Sequence, residues 1–232
     1  MTDESAADVA PDGSPVEVFD RLPPGRAPAY IAAAVRAGGA VLELGCGAGR
    51  LTRALAAAGH PVTAVDVSPA MLTRVVESPL VEVVLGDAAT VSLGRRYDGV
   101  VLASYLVNDT ERAPAFLATC RRHLAPGGVV VVQRYDPVWA CAGRGGAALA
   151  GEVTVDVDRL EVVGTALRIG VSYRVGSRVW RQDVAAHLVD DDELERLAAD
   201  SGLRVDGWLD EFRTWAALVF DPQVVSAGRD LP

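Results

Sequence analysis

Apolar residues recur along this chain in two rhythms. Short apolar runs at 40–44, 62–65, 81–85, 97–103 and 129–132 read as strands. Between them lie stretches with apolar residues three and four positions apart, the spacing of one helix face. A helix is predicted from Ala27, with Pro28 near its start, to a stop at Gly38-Gly39. A second runs over 50–58, with Leu51 and Leu55 on one face and Gly59 as its end. Ser68-Pro69 opens a third, Ser68 as N-cap and Pro69 as first residue. A fourth spans about 110–124 and aligns Phe116, Leu117, Cys120 and Leu124 in an apolar stripe. Pro126-Gly127-Gly128 then turns the chain into the strand at 129–132. Strands alternating with helices predict a parallel sheet covered on both faces.

After Pro137 the rhythm changes. Residues 142–151 are small and Gly-rich, and 152–189 read as strands without a helix: 161–163, 167–173 and 179–188, with Val175-Gly176-Ser177 as a hairpin turn. A helix returns at 192–199, capped by Asp190 or Asp191 and ended by Gly202, before strands at 204–208 and 214–220. The predicted fold class is α/β: a doubly wound, mostly parallel seven-stranded sheet with a small antiparallel β insertion as lid. Residues 1–15 are read as a flexible leader, 16–232 as one domain, 150–189 as the insertion, and the stretch after Asp221 as a loose tail.

The chain has 232 residues, enough for one α/β domain with a sizeable core, and half of them are hydrophobic. Its formal net charge of -9 opposes broad binding to phosphate backbones. Every basic side chain apart from histidine is Arg, which excludes Schiff-base chemistry and leaves Asp, Glu, His, Tyr or water as proton acceptors. Cys46, Cys120 and Cys141 form no C-x-x-C pair, and their spacing suits a reduced compartment. The first fifteen residues lack the basic-then-apolar order of a secretory signal, and no uncharged apolar run approaches a membrane span. The expected location is cytoplasmic.

Chemistry concentrates in Val41-Leu42-Glu43-Leu44-Gly45-Cys46-Gly47-Ala48-Gly49-Arg50. A strand, a Gly-rich loop and a helix in succession expose backbone N–H groups to a closely approaching ligand. Dinucleotide-binding enzymes use G-x-G-x-x-G at such a turn. Here the loop is G-x-G-x-G, and Arg50 stands where close helix–strand packing would require the third dinucleotide-type Gly.

At these residues the sequence resembles the class I S-adenosylmethionine-dependent methyltransferases, most nearly the small-molecule amine N-methyltransferases. The family's first motif, an acid followed by x-G-x-G-x-G, is matched by Glu43, Gly45, Gly47 and Gly49. An acid at the end of the second strand is matched by Asp66, suited to accept both ribose hydroxyls. An acid after the third strand is matched by Asp87 in Gly86-Asp87-Ala88, where the family holds the adenine amino group. Leu124-Ala125-Pro126-Gly127-Gly128 matches the turn before the fifth strand, and the likeness is strong over 27–136. It implies S-adenosyl-L-methionine as cofactor and extends the binding candidates to Cys46, Val67, Met71, Ala88 and Ala103. Gly25-Arg26 and Tyr30 resemble a segment that covers the cofactor. Arg26 would pair with the methionine carboxylate and Tyr30 would close over the sulfonium. Phe19 stands where those relatives often carry Tyr.

In such a sheet the site lies beyond the carboxyl ends of the strands, at 104–108 and 134–136. Tyr105, Tyr135 and His187 are the catalytic candidates, with Trp180, Tyr173 and Arg181 as further polar or aromatic lid residues. His123 reads as a cation suited to a helix end, and Asn108 and Asp109 as helix caps. Trp139, Trp208 and Trp215 read as packing. No metal site is expected. The expected activity is methyl transfer to a small molecule or short peptide, at an amine in natural-product metabolism, with no nucleic-acid or membrane partner. O-methylation, a nicotinamide-dependent oxidoreductase and a non-catalytic cofactor-binding module are the alternatives.

Overall fold

A computed structural model describes residues 9–221. Helices α1 (Val16–Arg21) and α2 (Ala27–Ala34) lead into β1 (Val41–Leu44), α3 (Arg50–Ala57), β2 (Val62–Asp66), α4 (Pro69–Leu72) and β3 (Val81–Leu85). Next come β4 (Tyr97–Leu102), a 3₁₀ turn (Leu106–Asn108), α5 (Ala113–His123), β5 (Leu124–Gln133) and α6 (Pro137–Ala142). Four strands follow, β6 (Gly146–Ala150), β7 (Val153–Val163), β8 (Ala166–Val175) and β9 (Arg178–His187). The described chain closes with α7 (Asp191–Asp200), β10 (Leu203–Trp208) and β11 (Trp215–Phe220).

The main sheet has the order β10-β11-β5-β4-β1-β2-β3, with β11 antiparallel to both neighbours and the rest parallel. Period-two alternation explains why helices cover both faces. Leu42, Leu44, Val100, Leu102, Val130 and Val132 face one layer, where Phe116 and Leu117 of α5 and Leu194 and Leu197 of α7 pack. Val41, Val101, Val129 and Val131 face the other, against Ile31 of α2 and Leu51 and Leu55 of α3. The strand order reverses between β1 and β4, and ligands in open α/β sheets bind at that crevice.

The antiparallel insertion forms a separate sheet, β6-β7-β8-β9. Strand β7 is longer than the apolar run at 161–163 indicated, because polar and apolar residues alternate from Val153 onward. The stretch at 142–151, read as irregular, supplies β6: small residues pair edge-on with β7 without a side-chain pattern that marks a strand. Arg134 fastens the insertion to the main domain. Its buried guanidinium donates to the Val189 and Arg213 carbonyls and pairs with Asp191.

Two expectations change. Residues 9–15, read as part of a loose leader, are packed. Val9 bridges to Pro15, Ala10 and Ser14 are buried, and Ser14 Oγ donates to Asp12 Oδ2 at 2.8 Å. Residues 1–8 and the tail after Asp221 lie outside the described residues. His123 is a buried linker. One ring nitrogen accepts from Leu93 N at 3.0 Å and the other meets Thr119 O at 2.9 Å, and burial lowers its pKa. This arrangement uses a neutral ring, whereas a cation would lose the Leu93 bond.

Candidate functional site

The loop joining β1 to α3 is tied to β2 from below. Gly45 N and Cys46 N both donate to Val65 O, at 2.8 and 2.9 Å. Gly45 (φ 72°) and Gly47 (φ 54°) adopt left-handed backbone conformations, and a Cβ on Gly45 would stand 2.7 Å from Leu106 Cδ1. Only glycine holds this turn without strain or collision. Asp66, at the end of β2, fixes the loop further. Its Oδ2 accepts from Gly47 N at 2.7 Å and its Oδ1 from Ser68 N at 2.8 Å. Burial raises the Asp66 pKa, and the two backbone donors oppose that rise.

The acid after β3 lies in the same cleft. Asp87 Oδ1 accepts from Ala89 N at 2.8 Å, and Arg112, at the start of α5, donates to both carboxylate oxygens at 2.6 and 2.8 Å. The Arg112 guanidinium lies 4.8 Å from the centre of the Phe116 ring.

These groups surround a cavity of about 340 Å³, within the range of small-molecule sites. Gly45, Gly47, Asp66, Val67, Met71, Asp87 and Ala88 line it. The packed residues Ala10, Asp12 and Ser14, together with Phe19, close another side, and Ser104, Leu106 and Phe116 complete the wall near β4.

Beyond the cavity stands a group of aromatic rings. The turn after β4 holds Ser104 (φ 55°) and Tyr105 (φ 62°) in succession in the left-handed region, an unusual conformation for two non-glycine residues. Strain of this kind concentrates at functional sites. The Tyr105 ring stacks on Tyr135 with centroids 4.0 Å apart and planes 6° from parallel, and Trp139 continues the stack at 6.3 Å. Tyr173 of β8 meets Phe19 edge-on at 6.1 Å, so the insertion packs behind that side of the cavity. Desolvation raises the pKa of all three tyrosines, Tyr173 to about 12.

Residues 41–128 match the family model described as a methyltransferase domain. The chain is 35% identical over 140 residues to the cypemycin N-terminal methyltransferase of a Streptomyces species, covering 57% of this chain and 57% of that protein. Over these residues it is similar to S-adenosylmethionine-dependent methyltransferases. A ubiquinone/menaquinone biosynthesis C-methyltransferase of Burkholderia thailandensis is 33% identical over 113 residues, or 45% of this chain and 46% of that one. The chain thus spans about half the length of the curated relatives it matches. Among solved structures, the amino pentose methyltransferase CalS10 from Micromonospora echinaspora superposes with a TM-score of 0.65 at 27% identity, covering 84% of this chain and 89% of that one. The CcbJ methyltransferase from Streptomyces caelestis shares the fold, with a TM-score of 0.72 at 24% identity over 88% of this chain and 95% of that one.

Several candidates stand away from the cavity. Glu43 is buried beneath the loop, where its Oε2 accepts from Thr52 Oγ1 at 2.6 Å. Burial raises its pKa to about 7. Cys46 is buried on the underside, Gly49 lies against Val75, and Ala103 belongs to the α2–α3 core layer. Tyr30 packs near Trp215, with ring centroids 6.2 Å apart, and exposed Arg26 sits 5.6 Å above Tyr30. The apolar face of α2 takes Tyr30 into that core, so neither residue covers the cavity.

Among the catalytic candidates, Tyr105 and Tyr135 meet at the aromatic wall. His187 instead pairs with Thr110 Oγ1 at 3.0 Å and is not among the cavity-lining residues. Asn108 bridges rather than caps: its Nδ2 donates to His187 O at 2.6 Å and its Oδ1 accepts from Tyr135 N at 3.1 Å. Asp109 Oδ1 accepts from Arg112 N at 3.3 Å in the turn ahead of α5, whose N-cap is Arg112 and has no side-chain cap bond. Of the remaining insertion residues, Arg181 is exposed and Trp180 lies under Arg178.

Sequence reasoning missed Ala10, Pro11, Asp12, Ser14, Arg112 and Phe116 as cavity lining. The one available signal was Phe116, whose place in the α5 stripe assigned it to the core. No metal-binding cluster and no helix long and apolar enough to cross a membrane occur among the described residues.

Proposed function

We propose that this protein transfers a methyl group from S-adenosylmethionine to a small molecule or short peptide, at an amine nitrogen, in natural-product metabolism. One observation carries the reading: the cavity formed by the Gly45–Gly47 loop, Asp66 and Asp87 adjoins the Tyr105–Tyr135 stack beneath the antiparallel insertion. The residues fit the cofactor. The glycine cradle would be filled by any Cβ at Gly45, Asp66 suits a ribose diol, and Asp87 suits an exocyclic amino group. Met71 and Val67 supply apolar lining.

S-adenosylmethionine, when bound, supplies a methyl group activated on a sulfonium. The chain's own residues bind, orient and exclude water. Tyr105 and Tyr135 sit beyond the carboxyl ends of β4 and β5, and their rings offer an electron-rich surface to an amine that becomes cationic on methylation. With their pKa values raised, these phenols do not act as bases near neutrality. The acceptor therefore enters as the free amine or loses its proton to water. A phenol acceptor would face the same proton loss, so the wall itself treats nitrogen and oxygen alike. The likeness to an amino pentose methyltransferase and to the cypemycin N-terminal methyltransferase supports an amine acceptor. A cytoplasmic setting is part of this reading, supported by three free thiols, at Cys46, Cys120 and Cys141.

The test is incubation with S-adenosylmethionine and a panel of amino sugars, peptides with free amino termini, and phenols, read by mass spectrometry. Methyl gain confined to amines supports the reading. Methyl gain on phenols alone would replace it with O-methylation.

A further inference from the structure

The geometry points to Arg112 as a clamp on the nucleobase: its guanidinium covers the adenine at the Asp87 end of the cavity and sets cofactor affinity. The inference rests on the cofactor reading above. Arg112, Asp87 and Phe116 all line the cavity. The Arg112 backbone N–H donates to Asp109 Oδ1 at 3.3 Å, which anchors the residue at the start of α5. Its guanidinium is then held on one side by Asp87, at 2.6 and 2.8 Å, and on another by the Phe116 ring at 4.8 Å. A planar cation fixed at two points is suited to stack on a planar base, and its charge neutralises the acid beside it.

Pairing with Arg112 does not use up Asp87. A carboxylate has about four acceptor positions. Oδ1 accepts from Ala89 N and Arg112, while Oδ2 accepts from Arg112 alone. Oδ2 therefore keeps a lone pair for an exocyclic amino group while the ion pair stays intact. The arrangement is that of a wall, not of a competitor to be displaced.

The experiment is titration of wild type, Arg112→Lys and Arg112→Met with S-adenosylmethionine, S-adenosylhomocysteine and adenosine, with thermal unfolding of each ligand-free protein to verify folding. Arg112→Met is expected to weaken all three ligands by a similar factor, about tenfold, since all share the base. Arg112→Lys keeps the charge but not the plane and is expected to restore only part of the loss. Unchanged or tighter binding by a folded Arg112→Met protein overturns the clamp. A wild-type protein that binds none of the three ligands overturns the cofactor reading itself and the clamp with it.

Discussion

Gln182 Nε2, on β9 of the insertion, donates to Ser14 Oγ at 3.1 Å. The same amide oxygen accepts from Tyr173 Oη at 3.1 Å, and the same nitrogen reaches Asp12 O at 3.3 Å. Residues 12–14 are thereby tied through one buried side chain to a tyrosine of the aromatic wall. Because Asp12 and Ser14 line the cavity, Gln182 links the cavity lining to Tyr173. Gln182→Leu, which keeps the bulk and removes the bonds, is predicted to weaken cofactor binding by about 1–2 kcal/mol. It is also predicted to speed amide exchange over residues 10–14. Exchange and affinity both equal to wild type would show that the tie is without consequence.

Asp66 has two duties, holding Gly47 N and Ser68 N and facing the cavity. Asp66→Ala is predicted to weaken S-adenosylhomocysteine binding by roughly 1–3 kcal/mol, through loss of charge-assisted hydrogen bonds. Gly47→Val is predicted to abolish binding, because a β-branched residue resists φ 54° and would intrude on the ligand's path. Calorimetry checks both, and wild-type affinity in either folded variant would contradict the placement.

Glu43 makes stability depend on pH in an unusual direction. Its folded-state pKa of about 7 lies above the ordinary 4.5, so between these values the native state binds more protons than the unfolded chain. Stability therefore falls as pH rises through that window, by up to about 3 kcal/mol. Glu43→Gln retains an oxygen to accept from Thr52 and cannot ionise. Its melting temperature relative to wild type is predicted to rise from pH 5 to pH 8. Parallel melting curves across that range would refute the assignment.

Tyr135→Phe removes a hydroxyl whose pKa burial has raised but keeps the ring that stacks on Tyr105. Turnover within about threefold of wild type is predicted, against the hundredfold or greater loss typical of a missing general base. Tyr135→Leu, which removes the ring, is predicted to raise KM for the amine more than it lowers kcat. A large fall in kcat for Tyr135→Phe would restore the phenol as a catalytic base.

Much of this was legible in the sequence where local chemistry dictates geometry. Gly45, Gly47, Asp66 and Asp87 line the cavity because a strand-end turn and its carboxylates are fixed by neighbours close in the chain. Ser68 caps α4 through its Oγ, with Met71 N as donor at 3.3 Å, for the same reason. The illegible parts depend on distant partners. Residues 9–15 read as a leader because no apolar periodicity marks them; they fold on local bonds and on Gln182, far along the chain. Arg112 and Asp87 are 25 residues apart and meet only once α5 packs against the loop after β3. Tyr30 and Arg26 matched a cofactor-covering segment by spacing, but packing near Trp215 directs the tyrosine into the α2 core layer. Glu43 fits its motif, yet strand alternation aims its side chain at Thr52 of α3 rather than at the cavity.

The central claim is most directly tested by calorimetric titration of the purified wild-type protein with S-adenosylhomocysteine and, separately, with NAD. Saturable one-to-one binding of S-adenosylhomocysteine and no heat with NAD is the predicted result. Binding of NAD without S-adenosylhomocysteine would contradict the account.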